Sequence, residues 1–175
     1  MCLVIAAWDG KSGVVASEGR MMRLGATPSV AAEDVFKVHR LTPFLVVGIV
    51  GWAHVTDALL ASIQDLTTYD EQVVSGHMRR LMQKYPGAAL QAVLMGVRDG
   101  RVQAAQWGDW DPSCPYAPTH PLNRPKVLAL GDSDLQGDAI ALVRRGTPLQ
   151  AVFETLARKY DMVNANVRVE EIYGA

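Results

Sequence analysis

Cysteine is scarce in this chain, at two of 175 residues. Cys2 and Cys114 form no metal-binding spacing, and His39, His54, His77 and His120 are scattered along the sequence, so no metal is expected. A Cys2–Cys114 disulfide is conceivable, but a reduced chain inside the cell is the expectation. An excess of either charge is also missing. Seventeen Lys and Arg oppose eighteen Asp and Glu, for a net charge of −1. That balance gives no basic footprint for nucleic acid and no attraction to an anionic membrane. No apolar run reaches the roughly 20 residues that span a bilayer. No basic segment precedes the first apolar run, so that run is not a secretory signal, and a cytoplasmic protein is expected. Phosphate loops, dinucleotide fingerprints, internal repeats and low-complexity tracts are absent as well, and no cofactor is expected. What remains is an ordinary globular composition, 49% hydrophobic and 20% charged, which suits a single domain over residues 1–175.

The apolar periods divide the chain into elements. Residues 3–8 (LVIAAW) read as a buried strand, and the Asp9–Gly13 turn returns the chain into a second strand at 14–17. Residues 20–34 form an irregular excursion containing Gly25 and Pro28. Residues 35–41 (VFKVHRL) alternate as a strand with one buried face; Thr42-Pro43 breaks it, and 44–50 suit a fully buried strand. The period then becomes helical over 52–66 (Val55, Leu59, Ile63, Leu66) and over 68–85, where Pro86-Gly87 stops it. Strands at 90–97 and 102–107 flank Arg98-Asp99-Gly100-Arg101, a hairpin signal. Residues 108–125 read as a surface loop, 126–130 as a strand, 134–145 and 148–159 as helices split by Gly146, and 165–172 as a closing strand. Two hairpin-rich blocks, each followed by a helix pair, predict an α+β fold. Its natural packing is a four-layer αββα sandwich of two antiparallel sheets between helix layers.

Several residues in this frame bear chemistry. Cys2 follows Met1 directly. With Met1 removed, one residue would carry both a thiol nucleophile and an α-amine able to act as its base. Ordinary values of about 8.5 for the thiol and about 8 for the amine allow easy proton exchange between them. The plainer role is a small buried hydrophobe at a sheet edge. Lys37 lies in an alternating strand on the face opposite Phe36 and Val38. A lysine between two sheets needs a partner, and Glu18, at the end of the second strand, is the candidate. A cation close to Cys2 would lower the thiol pKa. The plainer roles are a strand-end charge for Glu18 and an exposed edge-strand lysine for Lys37.

These segments, taken in order, resemble the β-type subunits of the proteasome and the bacterial HslV-type peptidase, which are N-terminal-nucleophile hydrolases. The resemblance is sharpest between Cys2 and Gly51. It runs through GVVASEGR (13–20), VFKVHRL (35–41) and GIVGWAHV (48–55). It implies the αββα fold with Cys2 as nucleophile in place of the usual Thr. Glu18 falls at the acid that holds the catalytic lysine, and Lys37 at that lysine. The Gly48 N–H falls at the oxyanion donor, where glycine allows close backbone approach; a packing glycine in a strand-to-helix turn is the alternative. Trp52 replaces the usual Asp. In the second half, Gly131-Asp132-Ser133-Asp134 is similar to the family's second glycine turn. Asp132 falls where a serine contacts the nucleophile, or it serves as a helix N-cap. Asp161 falls at a second acid near the N-terminus, and Asn164 where the family has a serine.

The resemblance further implies hydrolysis of peptide bonds in unfolded protein or peptide substrates. It also implies self-association into hexameric or heptameric rings that can stack, with an ATPase or other regulator left open. Exposed apolar residues and the Trp-rich 108–110 stretch would serve ring contacts. Self-cleavage of a long propeptide is not implied. Two alternatives stand beside this reading. One is a catalytically silent ring-forming homologue. The other is an NRDE-type or related amidohydrolase acting on small amides, which the Met-Cys-Leu opening also resembles but for which no Asn-Arg-Asp-Glu motif follows.

Overall fold

The structure is a computed structural model that describes residues 2–23, 25–108, 116–119 and 126–175, the 116–119 segment by its backbone alone. The first strand, β1 (Val4–Trp8), pairs with β2 (Ser12–Glu18) as a hairpin. A short ribbon follows, β3 (Met21–Arg23) against β4 (Ser29–Ala32). Next come β5 (Val38–Thr42), β6 (Leu45–Val50), α1 (Ala53–Ile63) and α2 (Glu71–Lys84). The second half holds β7 (Gln91–Arg98), β8 (Arg101–Trp107), β9 (Tyr116–Thr119), β10 (Lys126–Leu130), α3 (Ser133–Arg144), α4 (Leu149–Lys159) and β11 (Val167–Tyr173). One antiparallel sheet runs β10-β1-β2-β11 and the other β5-β6-β7-β8-β9.

Strand alternation explains the layers. In β1, Val4, Ala6 and Trp8 pack between the sheets with Val15, Val46, Val93 and Met95. Ile5, on the opposite face, packs with Leu3 against Phe153 and Leu156 of α4 and Leu135 of α3. In β6, Val46 and Val50 face the other sheet, while Leu45, Val47 and Ile49 face Val55, Leu59 and Met78 of α1 and α2. Every residue of β6 is buried because both its faces are covered. The result is the expected αββα sandwich.

The helices begin where local chemistry starts them. Asp70 caps α2, its carboxylate accepting from the Gln72 and Val73 N–H groups. Asp132 caps α3. Three expectations are corrected. Residues 20–34 are not wholly irregular, since they contain the β3–β4 ribbon, whose second strand is almost entirely exposed and so gave no apolar period. The strand expected from 35 begins at Val38, because the Lys37 N–H is taken by the Ser17 hydroxyl at 3.0 Å. Of the expected 108–125 loop, residues 116–119 are a strand pairing with β8. The remainder from 109 on, with the Trp110 contact surface and Cys114, lies outside the described residues.

Candidate functional site

The site grows from the ends of β1 and β2. The hairpin register sets Val4 opposite Ser17. This brings the Glu18 carboxylate under the start of β1, where it accepts the Leu3 N–H at 3.1 Å. Its other oxygen accepts the Arg20 N–H at 2.5 Å. Glu18 is 0% exposed, a position no carboxylate holds without partners. Lys37 supplies the counter-charge, with Nζ 3.1 Å from the Glu18 Oε1. The same ammonium donates to the Glu18 carbonyl at 3.1 Å and to the Arg20 carbonyl at 2.6 Å. All three of its protons are thereby used, which is what a 7% exposed lysine requires.

The Cys2 thiol donates to that same Arg20 carbonyl, at 3.7 Å. Thiol and ammonium thus share one acceptor. Burial pushes the Cys2 thiol above its ordinary pKa; the Lys37 charge pulls it back down and the Glu18 charge pushes it up. The expected net lowering is therefore corrected: desolvation outweighs the cation. Burial likewise pushes the Glu18 carboxyl upward, against Lys37 and the two backbone N–H groups.

Cys2, Glu18 and Lys37 are thus brought together, and Cys2 and Lys37 both border a cavity of about 790 Å³. Its apolar walls include Met21, Met22, Phe36, Ile49 and Leu60. Trp52 and His54 also border it; their rings lie 5.9 Å apart, and His54 meets Tyr85 edge-on at 5.3 Å. His39 and Asp57 add the polar end. Burial holds His39 below its ordinary pKa, with the Arg168 charge acting in the same direction.

The remaining sequence candidates are placed differently. Gly48 is an interior residue of β6, with Val38 and Val93 opposite it on the neighbouring strands. A Cβ there would sit 2.6 Å from a Val4 methyl. This glycine therefore lets the two sheets approach, and the cavity is bordered instead by Ile49, Val50 and Gly51. The Ile49 N–H is occupied by the Lys37 carbonyl at 2.9 Å. Gly51, with φ +148°, follows β6 directly and borders the same cavity.

Asp132 acts as a helix cap, its carboxylate accepting from the Asp134 N–H at 3.3 Å. It is Gly131 before it that meets Cys2. With φ +136°, a Cβ on Gly131 would lie 2.5 Å from the Cys2 carbonyl oxygen. Asp161 is exposed, and its contact with the site runs through its main-chain carbonyl, which accepts from Arg20 Nη1 at 2.5 Å. Asn164 is buried and accepts the Gly19 N–H at 3.0 Å.

Gln91 supports the Gly131 turn beside Cys2, a contact that pattern reading passes over. Its amide brackets Gly131, giving to the carbonyl at 3.1 Å and accepting the N–H at 3.0 Å. Gln136 adds a 2.7 Å bond to the same carbonyl. A single amide at the head of the apolar run 90–97 was the available signal. Among the described residues, no three His, Cys, Asp or Glu side chains converge as a metal site, and no helix is long and apolar enough to cross a membrane.

No protein-family model matches this chain, and no curated protein matches it in sequence. Among solved structures, the chain is similar to eukaryotic HslV from Trypanosoma brucei, with a TM-score of 0.65 at 14% identity. The match covers 98% of this chain and 99% of that one.

Proposed function

We propose that this chain is a subunit of a proteasome-like, self-compartmentalising peptidase in which Cys2, freed of Met1, is the nucleophile. The observation that carries this reading is the shared Arg20 carbonyl. It holds the Cys2 thiol and the Glu18-paired Lys37 ammonium together at the edge of the cavity described above. The HslV-like fold supports the same reading.

In the proposed reaction, the Cys2 α-amine takes the thiol proton as sulfur attacks a peptide carbonyl carbon. The resulting oxyanion is received by a backbone N–H at the end of β6, assigned here to Gly51 rather than Gly48. The ammonium then protonates the departing amine as the C–N bond breaks, leaving a thioester. Water attacks the thioester, with the amine again accepting the proton, and the acid product and thiol are released. Lys37 stabilises the sulfur as negative charge develops on it, and Glu18 holds Lys37. The raised thiol pKa suits proton transfer concerted with attack better than a standing thiolate. The apolar cavity takes a substrate side chain. Asp132 and Asp161 serve structure, through the α3 cap and the Arg20 contact respectively.

The test is hydrolysis of fluorogenic peptides by protein whose intact mass shows loss of Met1. Cys2→Ala should abolish turnover. Retention of Met1 in native expression, or turnover surviving Cys2→Ala, would refute the mechanism. Sedimentation should show a ring-sized assembly, and a persistent monomer contradicts compartmentalisation. An electrophilic peptide that leaves Cys2 unmodified in the Met1-free form would instead identify a silent ring component.

A further inference from the structure

We propose that Glu33, seated by Asn164, is a positioning residue for the Cys2 thiol: it clamps the Arg20 side chain so that the Arg20 carbonyl stays where thiol and Lys37 ammonium can share it. The inference rests on Cys2 as the reacting group. Arg20 has its carbonyl in the site and its guanidinium outside it. On the inner side, the carbonyl receives Lys37 at 2.6 Å and the thiol at 3.7 Å. On the outer side, the guanidinium forms a two-pronged contact with the Glu33 carboxylate, Nε at 3.2 Å and Nη2 at 3.0 Å. Such paired bonds fix orientation as well as distance.

Glu33 is fixed in turn. Asn164 Nδ2 reaches its carboxylate at 2.5 Å and its carbonyl at 3.1 Å, and Asn166 Nδ2 reaches that carbonyl at 3.0 Å. The Asn164 oxygen accepts the N–H groups of Gly19 and Asn166. Asn164 is only 8% exposed, so its amide is committed to this junction. The Arg20–Glu33 pair also closes the base of the β3–β4 ribbon, since Arg20 precedes Met21 and Glu33 follows Ala32. Met21 and Met22 of that ribbon border the cavity. Loss of the pair would therefore loosen the cavity wall and the shared acceptor together.

The Arg20–Glu33 pair itself adds little stability to this junction. The Glu33 side chain is 52% exposed, and an exposed ion pair contributes little to folding. Its geometry, by contrast, bears directly on an atom that touches the thiol.

The test is the pH profile of iodoacetamide alkylation at Cys2 in the Met1-free chain, on a Cys114→Ser background. It runs from about pH 6 to about pH 10, which brackets the ordinary thiol value of about 8.5. Glu33→Ala frees the Arg20 carbonyl, which holds Lys37 at 2.6 Å beside the sulfur; withdrawal of that cation outweighs loss of the weak 3.7 Å thiol bond, so the midpoint should move upward and alkylation near neutrality should slow about tenfold, the effect of one pKa unit on the thiolate fraction. Glu33→Gln, which keeps an acceptor for Arg20 and Asn164, should fall closer to the parent. Arg20→Lys keeps the carbonyl and the charge but loses the fork, so it carries the same test if Glu33→Ala does not fold. A profile that superimposes on the parent overturns the proposal, as does a downward shift with faster alkylation, which marks mere opening of the site. Failure of the peptidase reading is separable: a chain that cleaves no peptide but shows the upward shift keeps the clamp.

Discussion

The two halves of the chain approach Cys2 in different ways. From the first half come charged side chains that are buried and paired, Glu18 with Lys37. From the second half comes backbone, held by amides. Gly131 lies against the Cys2 peptide, bracketed by Gln91 and Gln136. The second half's acids, Asp132 and Asp161, cap a helix or point to solvent. The lesson is a division of labour: charge near the thiol is supplied by the end of the β1–β2 hairpin and the residue leading into β5, and the second half supplies shape.

Substitutions that try to break this contrast should differ in size. The largest effect is expected for Lys37→Ala, which strands Glu18 without a counter-charge. Removing one member of a buried pair costs about 3–5 kcal/mol, visible as a lowered thermal midpoint. Peptide turnover should fall by about 100-fold or more. Lys37→Ala with parental stability would contradict the paired site.

Gly131→Ala should come next. Its φ is positive and the added Cβ would strike the Cys2 carbonyl. A cost of about 1–3 kcal/mol is expected, with slower turnover because the Cys2 peptide must move. Calorimetry with peptide assays checks both. Asp132→Ala should cost about 1 kcal/mol, the usual loss of a helix cap, with turnover within about twofold of the parent. Asp132→Asn, which still caps, should restore the stability. Loss of activity in Asp132→Asn at parental stability would return a chemical role to that carboxylate. The smallest effect belongs to Asp161→Ala, expected within about 0.5 kcal/mol as for other exposed positions.

A pH experiment sharpens the contrast from the thiol side. Burial raises the Cys2 pKa in the folded chain. The folded state therefore keeps its proton at pH values where the unfolded thiol has lost it. The stabilising contribution is complete below the ordinary thiol range and is lost as pH rises through the folded pKa. Cys2→Ser should flatten that alkaline slope in denaturant titrations. An unchanged slope would show that the thiol is not buried as described.

Much of the sandwich was legible because its elements are covered on both faces. The run 44–50 and the 3.6-residue spacing of Val55, Leu59 and Ile63 leave few alternatives. The Glu18–Lys37 pair was legible for a related reason: a lysine pointed between sheets demands an acid. The β3–β4 ribbon was not, since its residues are largely exposed and its strands are short. Gly48 was misread as a turn glycine because glycine serves both a bend and a close sheet approach, and sequence does not separate them. Asn164 and Glu33 are 131 positions apart, and nothing in the local pattern of either marks their contact. The role of Gly131 was hidden by its neighbour, since the acid after a glycine turn draws attention to itself.

The most direct measurement of the central claim is labelling of the Met1-free protein with an electrophilic peptide, read by intact mass and then by peptide mapping. A single adduct on the Cys2 sulfur, formed with parallel loss of peptidase activity and suppressed by Lys37→Ala, is the predicted result. Peptidase activity that persists while Cys2 stays unmodified would contradict it.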